Sequence, residues 1–473
     1  MKRTVTLFLL GAAAIGVVLA QTAPRENQPT HDHQAHPSSQ LSPTTPAVKT
    51  TAPQVRADAT LAMGQPYTPS STLTDDYRCF LLNPGLTTDR FIEGFEVKPG
   101  NPEIVHHVVV NQVTALQAAQ AQSQDGQDGQ PGWPCFGGTG LDTVSADPSK
   151  ARPSLLRVLP QLQAKGVHTL KLLKAYQQAG SDPLKAIQAY GDAGGDTQRL
   201  MYALAETGLL GGMSDGAHGS TDDALDAALG TVFGIGAWVP GAEATVFPSG
   251  TGRRLEKGNF LVMQVHYNTL AGRAPDLTRM TVQYAPVQAE LKPLKSLSVV
   301  APVEIPCAAT RTDPSCQRDV VVARAVQQHG PQAQRRVDGL LALCGQTLRD
   351  YASERAEAAT STCDRPVQQD VLAVGVTLHL HTRGQAASLV LNAGTPEEQV
   401  LLDISRWDFH WQGVYWYEAP IALKKGDVLR VSCTWDNTRD TQPKYIVWGE
   451  GSQDEMCLAG LTVMASRPTP DTR

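Results

Sequence analysis

The chain has 473 residues, with 40 lysines and arginines against 46 aspartates and glutamates and a formal net charge of -6. That length accommodates two or three domains, and the mild charge, with no basic stripe carrying interleaved aromatics, leaves nucleic-acid binding without a footprint. The 41 glycines, 32 prolines and 18% charged residues point to a loop-rich β protein carrying insertions.

Met1-Lys2-Arg3 is a basic start, residues 4–19 are mostly apolar, and Val18-Leu19-Ala20 before Gln21 fits a small-residue cleavage site. Residues 1–20 therefore read as a secretory signal rather than an uncleaved anchor. No other run is apolar and long enough to span a bilayer. The mature protein is expected to be secreted or periplasmic, with no stable membrane insertion after signal cleavage. Residues 21–70 are rich in Pro, Thr, Gln, Ser and Ala without a period and read as a disordered linker. His31, His33 and His36 inside it read as solvated histidines, with a weak metal-capture tract as the alternative. The 8 cysteines, none in a CxxC pair, suit disulfides in an oxidising compartment. Spacing leaves their pairing open.

From Thr72 the texture becomes short strands. Residues 77–82 end at the turn Asn83-Pro84-Gly85, residues 91–97 end at Lys98-Pro99-Gly100, and residues 103–113 carry His106 and His107. Helical spacing takes over between 137 and 230, at 155–159, 167–173, 200–210 and 222–229. That segment reads as a helical insertion with His168 and His218 on its surface. Strands resume at 236–240, 260–267 (bearing His266) and 280–284. A Pro- and Lys-containing junction near 289–295 divides an N-terminal domain, 71–290, from a C-terminal domain, 291–467. The second domain opens with strands at 297–305. A second helical insertion follows at about 307–363, and strands return at 371–381, 387–391, 411–416 and 428–435. Residues 456–464 close the domain, and the tail from Ala465 is expected to fray.

The chemistry concentrates in histidines. His379-Leu380-His381 places two imidazoles on one face of a strand, where both can bind one metal. Met456, in Asp454-Glu455-Met456-Cys457, offers a thioether whose softness favours copper over zinc. Adjacent His106 and His107 point to opposite faces of a regular strand, so they share a metal only across a bulge or twist. His266 lies in Gln264-Val265-His266-Tyr267, with Gln264 on the same strand face. Each motif alone also has a structural reading: a surface pair, a half-buried imidazole, a core methionine, a cross-strand glutamine, a packed tyrosine.

Taken in order, Tyr77-Arg78-Cys79, Val105-His106-His107, Ala237-Trp238, Gln264-Val265-His266-Tyr267, His379-Leu380-His381, Asp427-Val428-Leu429, Cys433 and Asp454-Glu455-Met456-Cys457 resemble the copper type II, ascorbate-dependent monooxygenases. The resemblance covers most of residues 72–465 outside the two helical insertions. It implies a mainly β fold of two jelly-roll-type β-sandwich domains with two helical insertions. Each domain would hold one of two copper ions, facing across a solvent-filled cleft. By position, His106, His107 and His266 would hold an electron-transfer copper. His379, His381 and Met456 would hold the copper that binds dioxygen and attacks a substrate C–H bond, with Gln264 and Tyr77 near the metals. Ascorbate or a similar one-electron reductant, dioxygen and a small organic substrate are the implied partners. The resemblance also pairs Cys433 with Cys457 and Cys79 with Cys135. Closeness in sequence suggests Cys307 with Cys316 and Cys344 with Cys363.

The peptide-amidating member of the family holds its substrate carboxylate with an arginine where this chain has Thr377. Its clamp is completed by asparagine and tyrosine where this chain has Leu458 and Gly460. A carboxylate buried there without its cation costs several kcal/mol, so a peptidylglycine substrate is not expected. Two rival readings follow: a non-catalytic copper-binding or copper-storage protein on the same scaffold, or a carbohydrate- or partner-binding β-sandwich with structural histidines.

Overall fold

Half-buried and buried residues alternate along Val428–Trp435, the period-two pattern by which one face of a strand joins a core. Strands of this kind build two β-sandwiches in a computed structural model, which describes residues 53–141, 154–180, 183–207, 209, 234–439 and 443–466. The protein is mainly β, as its composition implies.

The first sandwich contains β1 (Ala59–Ala62), β2 (Asp75–Leu82), β3 (Arg90–Lys98), β4 (Val105–Val113), β5 (Trp133–Pro134), β6 (Gly236–Trp238), β7 (Thr245–Val246), β8 (Thr251–Leu255), β9 (Phe260–Asn268), β10 (Arg279–Tyr284) and β11 (Lys292–Pro293). One sheet runs β1-β10-β3-β8-β11, with β7 paired to β3; the other runs β5-β2-β9-β4-β6. Ile92, Phe95 and Val282 of the first sheet meet Val108, Met263 and Val265 of the second in one apolar cluster. Each such side chain, fully buried, contributes about 1.5–3 kcal/mol.

The second sandwich contains β12 (Lys295–Val300), β13 (Glu304–Ile305), β14 (Ala359–Pro366), β15 (Val371–His379), β16 (Gly384–Leu391), β17 (Gln399–Ile404), β18 (Tyr415–Leu423), β19 (Val428–Trp435), β20 (Ile446–Val447) and β21 (Leu458–Ala465). Its sheets run β12-β21-β15-β18 and β14-β19-β16-β17, with β13 and β20 forming a small pair. Val374 and Met464 of the second sandwich pack into the core cluster of the first. Phe247 meets Trp416 edge to face there, with ring centroids 6.0 Å apart.

The helices cross between the two sandwiches. After α1 (Ala115–Gln124), the helices α2 (Leu155–Ala164), α3 (Thr169–Gln178), α4 (Pro183–Asp192) and α5 (Thr197–Glu206) fall between strands of the first sandwich in sequence. Their apolar faces nevertheless join the core cluster of the second, where Leu162 and Leu200 share it with Leu340 and Leu343. Gln198 of α5 also donates to the Asp364 carbonyl of β14 at 2.6 Å. The hairpin of α6 (Arg318–His329) and α7 (Gln332–Leu343), inserted in the second sandwich, reaches the other way. The His329 ring stacks on Phe136 at 3.9 Å, and Arg336 Nη2 donates to the Gly137 carbonyl at 2.8 Å.

Four disulfides join Cys79 to Cys135, Cys307 to Cys316, Cys344 to Cys363 and Cys433 to Cys457. The chain enters the first sheet earlier than the expected end of a linker at residue 70. Residues 59–62 pair with β10, and Met63 and Tyr67 are buried, so this stretch has apolar side chains enough to dock. The strand expected over 411–416 starts only at Tyr415, and residues 411–414 form a loop. The signal at 1–20, His31, His33, His36, His218, the helix expected over 222–229 and the tail from 467 lie outside the described residues. Among the described residues, no helix is long and apolar enough to cross a membrane.

Candidate metal centre

The first histidine set depends on a break in strand register. Across β4 and β9, Val105 faces Tyr267 and His107 faces His266, so His106 is the extra residue of a bulge. A bulge is what lets adjacent side chains turn toward one point. The Nδ1 atoms of His106 and His107 lie 3.4 Å apart, and His266 Nδ1 lies 3.4 Å from that of His107. One ligand nitrogen from each of the three falls within 4.8 Å of the others, and all three residues are buried. Burial, with the neighbouring imidazoles adding to it, pushes His106 and His107 well below the usual histidine range. Both rings are therefore neutral nitrogen donors at neutral pH, the form a metal requires.

The far side of the His266 ring is anchored. Its Nε2 is 2.9 Å from Asp75 Oδ1. That oxygen also accepts from the backbone N–H of Ser452 at 2.8 Å and the Ser452 hydroxyl at 2.7 Å. Burial opposes the Asp75 carboxylate, yet the hydrogen bonds from His266 and Ser452 hold its pKa below the usual carboxylate range. A carboxylate on the outer nitrogen fixes a ring's tautomer and leaves Nδ1 facing inward.

Tyr77 faces His266 across β2 and β9 and stacks on its ring at 4.2 Å and 10°. Its hydroxyl is buried without a hydrogen-bond partner. Gln264, two residues along β9, is buried, and its Nε2 donates to the Gly138 carbonyl at 2.8 Å. Its amide nitrogen thus braces the loop after Cys135.

The second set lies at the end of β15. His379 Nδ1 is 2.7 Å from Gln412 Oε1, and His381 Nδ1 is 2.9 Å from the Asp454 carbonyl. With Nδ1 occupied on both rings, Nε2 is the free nitrogen on each. His381 Nε2 is buried with no hydrogen-bond partner. Burial, then His379 nearby, pulls the His381 pKa down to about 3, and burial lowers that of His379 against the pull of Gln412. Met456 is buried and precedes Leu458, the register partner of His379, by two residues. The adjacent Cys457 is tied to Cys433. Glu455 is fully buried and rivets this corner. It accepts from the N–H groups of His381 (2.8 Å) and Arg383 (2.6 Å) and from Trp435 Nε1 (3.1 Å). Burial, against those donors, raises its pKa to about 7.

The two sets are neighbours. The His106 and His381 ring centroids are 5.5 Å apart, with Phe409 stacked on His106 at 5.4 Å and 28°. The resemblance implied a solvent-filled cleft between the sites, but no water-wide gap separates these two imidazoles. Phe409 and the Ser452–Asp75 contact hold the halves together at this point.

Thr377 donates its hydroxyl to the Gly413 carbonyl at 3.0 Å and faces Gly460 across β15 and β21. Leu458 is buried. None of these three positions carries a cation.

The structure thus gathers His106, His107, His266, His379 and His381 into one region, with Tyr77 stacked against it and Gln264 turned to a loop. Sequence reasoning missed Asp75, Gln412, Ser452 and the anchoring role of Glu455. Only Asp75 left a signal: it lies two residues from Tyr77 on the same strand, and so on the same face.

Residues 351–462 match the family described as copper type II ascorbate-dependent monooxygenase, C-terminal domain. The matched span contains His379, His381, Met456 and the Cys433–Cys457 disulfide; the first histidine set lies outside it. A comparison with curated proteins returns no match.

Proposed function

We infer that residues 351–462, which match the C-terminal domain of the copper type II ascorbate-dependent monooxygenases, are such a domain in this protein. From that premise we propose that the protein is an exported enzyme holding two copper ions, which hydroxylates a C–H bond of a small organic substrate with dioxygen and ascorbate or a similar one-electron donor. The observation that carries the reading is His381 Nε2, a buried nitrogen with no hydrogen-bond partner in a cluster of imidazoles. Leaving such an atom unsatisfied costs about 1–3 kcal/mol, and a metal ion is the partner this donor set suits. His106, His107 and His266 would hold one copper through Nδ1. His379 and His381 would hold the other through Nε2, with the Met456 thioether as third donor.

Copper bound there supplies reversible one-electron chemistry and, at the softer site, the reduced state to which dioxygen binds. The protein's part is to fix the donors. Asp75, Gln412 and the Asp454 carbonyl each occupy the outward nitrogen of one histidine and set its tautomer. Phe409 packs its ring against both His106 and His381. Because Thr377, Leu458 and Gly460 present no cation, the substrate is one not held there by a carboxylate. The four disulfides suit an oxidising, extracytoplasmic compartment.

Copper titration of the purified chain, followed by metal analysis and Cu(II) spectroscopy, tests the reading. Two ions per chain with ascorbate-dependent oxygen uptake on a substrate panel are expected. Met456→Ala should abolish turnover while the three-histidine copper remains bound. A chain that takes up no copper would overturn the proposal.

A further inference from the structure

One short loop of the second sandwich touches the outer partners of both histidine sets. Ser452 offers Asp75 two hydrogen bonds, through its N–H at 2.8 Å and its hydroxyl at 2.7 Å. Both converge on the same Oδ1 that lies 2.9 Å from His266 Nε2. Two residues on, the Asp454 carbonyl meets His381 Nδ1 at 2.9 Å. Glu455 follows, accepting from the His381 N–H at 2.8 Å, and then Met456.

The loop is built for this approach. Asp454 N–H donates to the Gly451 carbonyl at 2.9 Å, and Gly449 N–H to the Glu455 carbonyl at 3.1 Å, so it is closed on itself. A Cβ on Gly451 would come within 2.7 Å of Asp454 Oδ2 and 3.4 Å of Asp75 Oδ2. Glycine there lets the backbone sit between the two carboxylates. A rigid loop with contacts at both ends transmits a shift at one end to the other, because packed elements do not deform continuously.

We propose that Asp75 is a positioning residue for the first copper and that the Gly451–Met456 loop couples the two copper sites, so that filling one alters the other. The inference rests on the two-copper reading above. Ser452 is the link: it belongs to the second sandwich and reaches the first site only through Asp75. Electrons passing from the first site to the second would then do so between sites whose geometries are mutually dependent.

The test uses the full chain loaded with Cu(II), and with Cu(I) under ascorbate. Asp75→Asn keeps the shape but replaces the charged acceptor on His266. It should weaken copper at the first site by about 10–100-fold and change that site's Cu(II) spectrum, leaving copper at the second site bound. Asp75→Glu, which keeps the carboxylate, should recover part of the affinity.

Ser452→Ala tests the coupling separately. In the parent chain, emptying the second site with Met456→Ala should shift the first site's Cu(II) spectrum or reduction potential. On the Ser452→Ala background that shift should shrink or vanish. Wild-type affinity and spectrum in Asp75→Asn would overturn the positioning role. An undiminished shift in Ser452→Ala would overturn the coupling. Should Asp75→Asn fail to fold, by circular dichroism, the Ser452→Ala comparison decides alone. A wild type that binds no copper counts instead against the two-copper reading.

Discussion

Gln412 is the residue on which the second site's geometry turns. It lies in the loop before β18, its Oε1 is 2.7 Å from His379 Nδ1, and its Nε2 donates to the Phe409 carbonyl at 2.7 Å. One amide therefore orients a proposed ligand and holds the backbone of the aromatic wedge against His106. Gln412→Ala leaves His379 free to change tautomer and Phe409 free to move. Copper affinity at the second site should fall about 10–100-fold while the first site holds, measured by competition titration of Cu(I). No spacing in the sequence reveals this role, because Gln412 and His379 meet only when a loop folds back over a strand end. The histidines themselves were legible because strand periodicity and neighbouring motifs constrain them locally. The bulge at His106 was legible as a requirement, since adjacent side chains share a metal in no regular strand. What it required of β9, a register slip against Tyr267 and His266, belongs to the pairing of two strands and is written in neither alone.

At the scale of elements, the Cys433–Cys457 bond joins β19 to the residue before β21, next to Met456. The bond closes a loop that contains Ser452, Asp454 and Glu455, so it restrains every second-site partner that loop supplies. Replacing both cysteines by alanine should cost about 2–4 kcal/mol, seen as a lower Tm. Second-site copper should be lost from the variant before first-site copper, read by metal analysis along the melt. The reverse order would place Met456 under some other restraint. The helices show the opposite limit of sequence reading. Their period announced amphipathic segments near 155–159, 167–173 and 200–210; α2 covers the first, while α3 starts at Thr169 within the second and α5 ends at Glu206 within the third. Yet an apolar helix face says only that something covers it. Leu162 and Leu200 are covered by the second sandwich and α7, across the domain boundary expected from sequence.

For the whole molecule, that crossing makes the two sandwiches a braced pair. Helices from the first half pack on the second, and the α6–α7 hairpin of the second half reaches the loop after Cys135 in the first. Arg336 is the centre of the return brace. It pairs with Glu450, donates to the Gly137 carbonyl, and lies over the rings of Phe136 (5.9 Å) and Trp448 (5.1 Å). Arg336→Ala would strand Glu450, already holding one buried oxygen without a partner, at a cost of about 3–5 kcal/mol. That loss alone would not separate bracing from general destabilisation. Arg336→Met combined with Glu450→Met removes both charges at similar volume and should return most of the stability, since a buried pair is often replaceable by apolar groups. The clasp on Gly137 stays broken in this double variant. Amide exchange should therefore accelerate in residues 133–141 and 449–456 while β9, β15 and β21 remain protected. If exchange there is unchanged in a double variant of near wild-type Tm, the brace is redundant, and the apolar contact of Val374 and Met464 with the first core holds the sandwiches closed by itself.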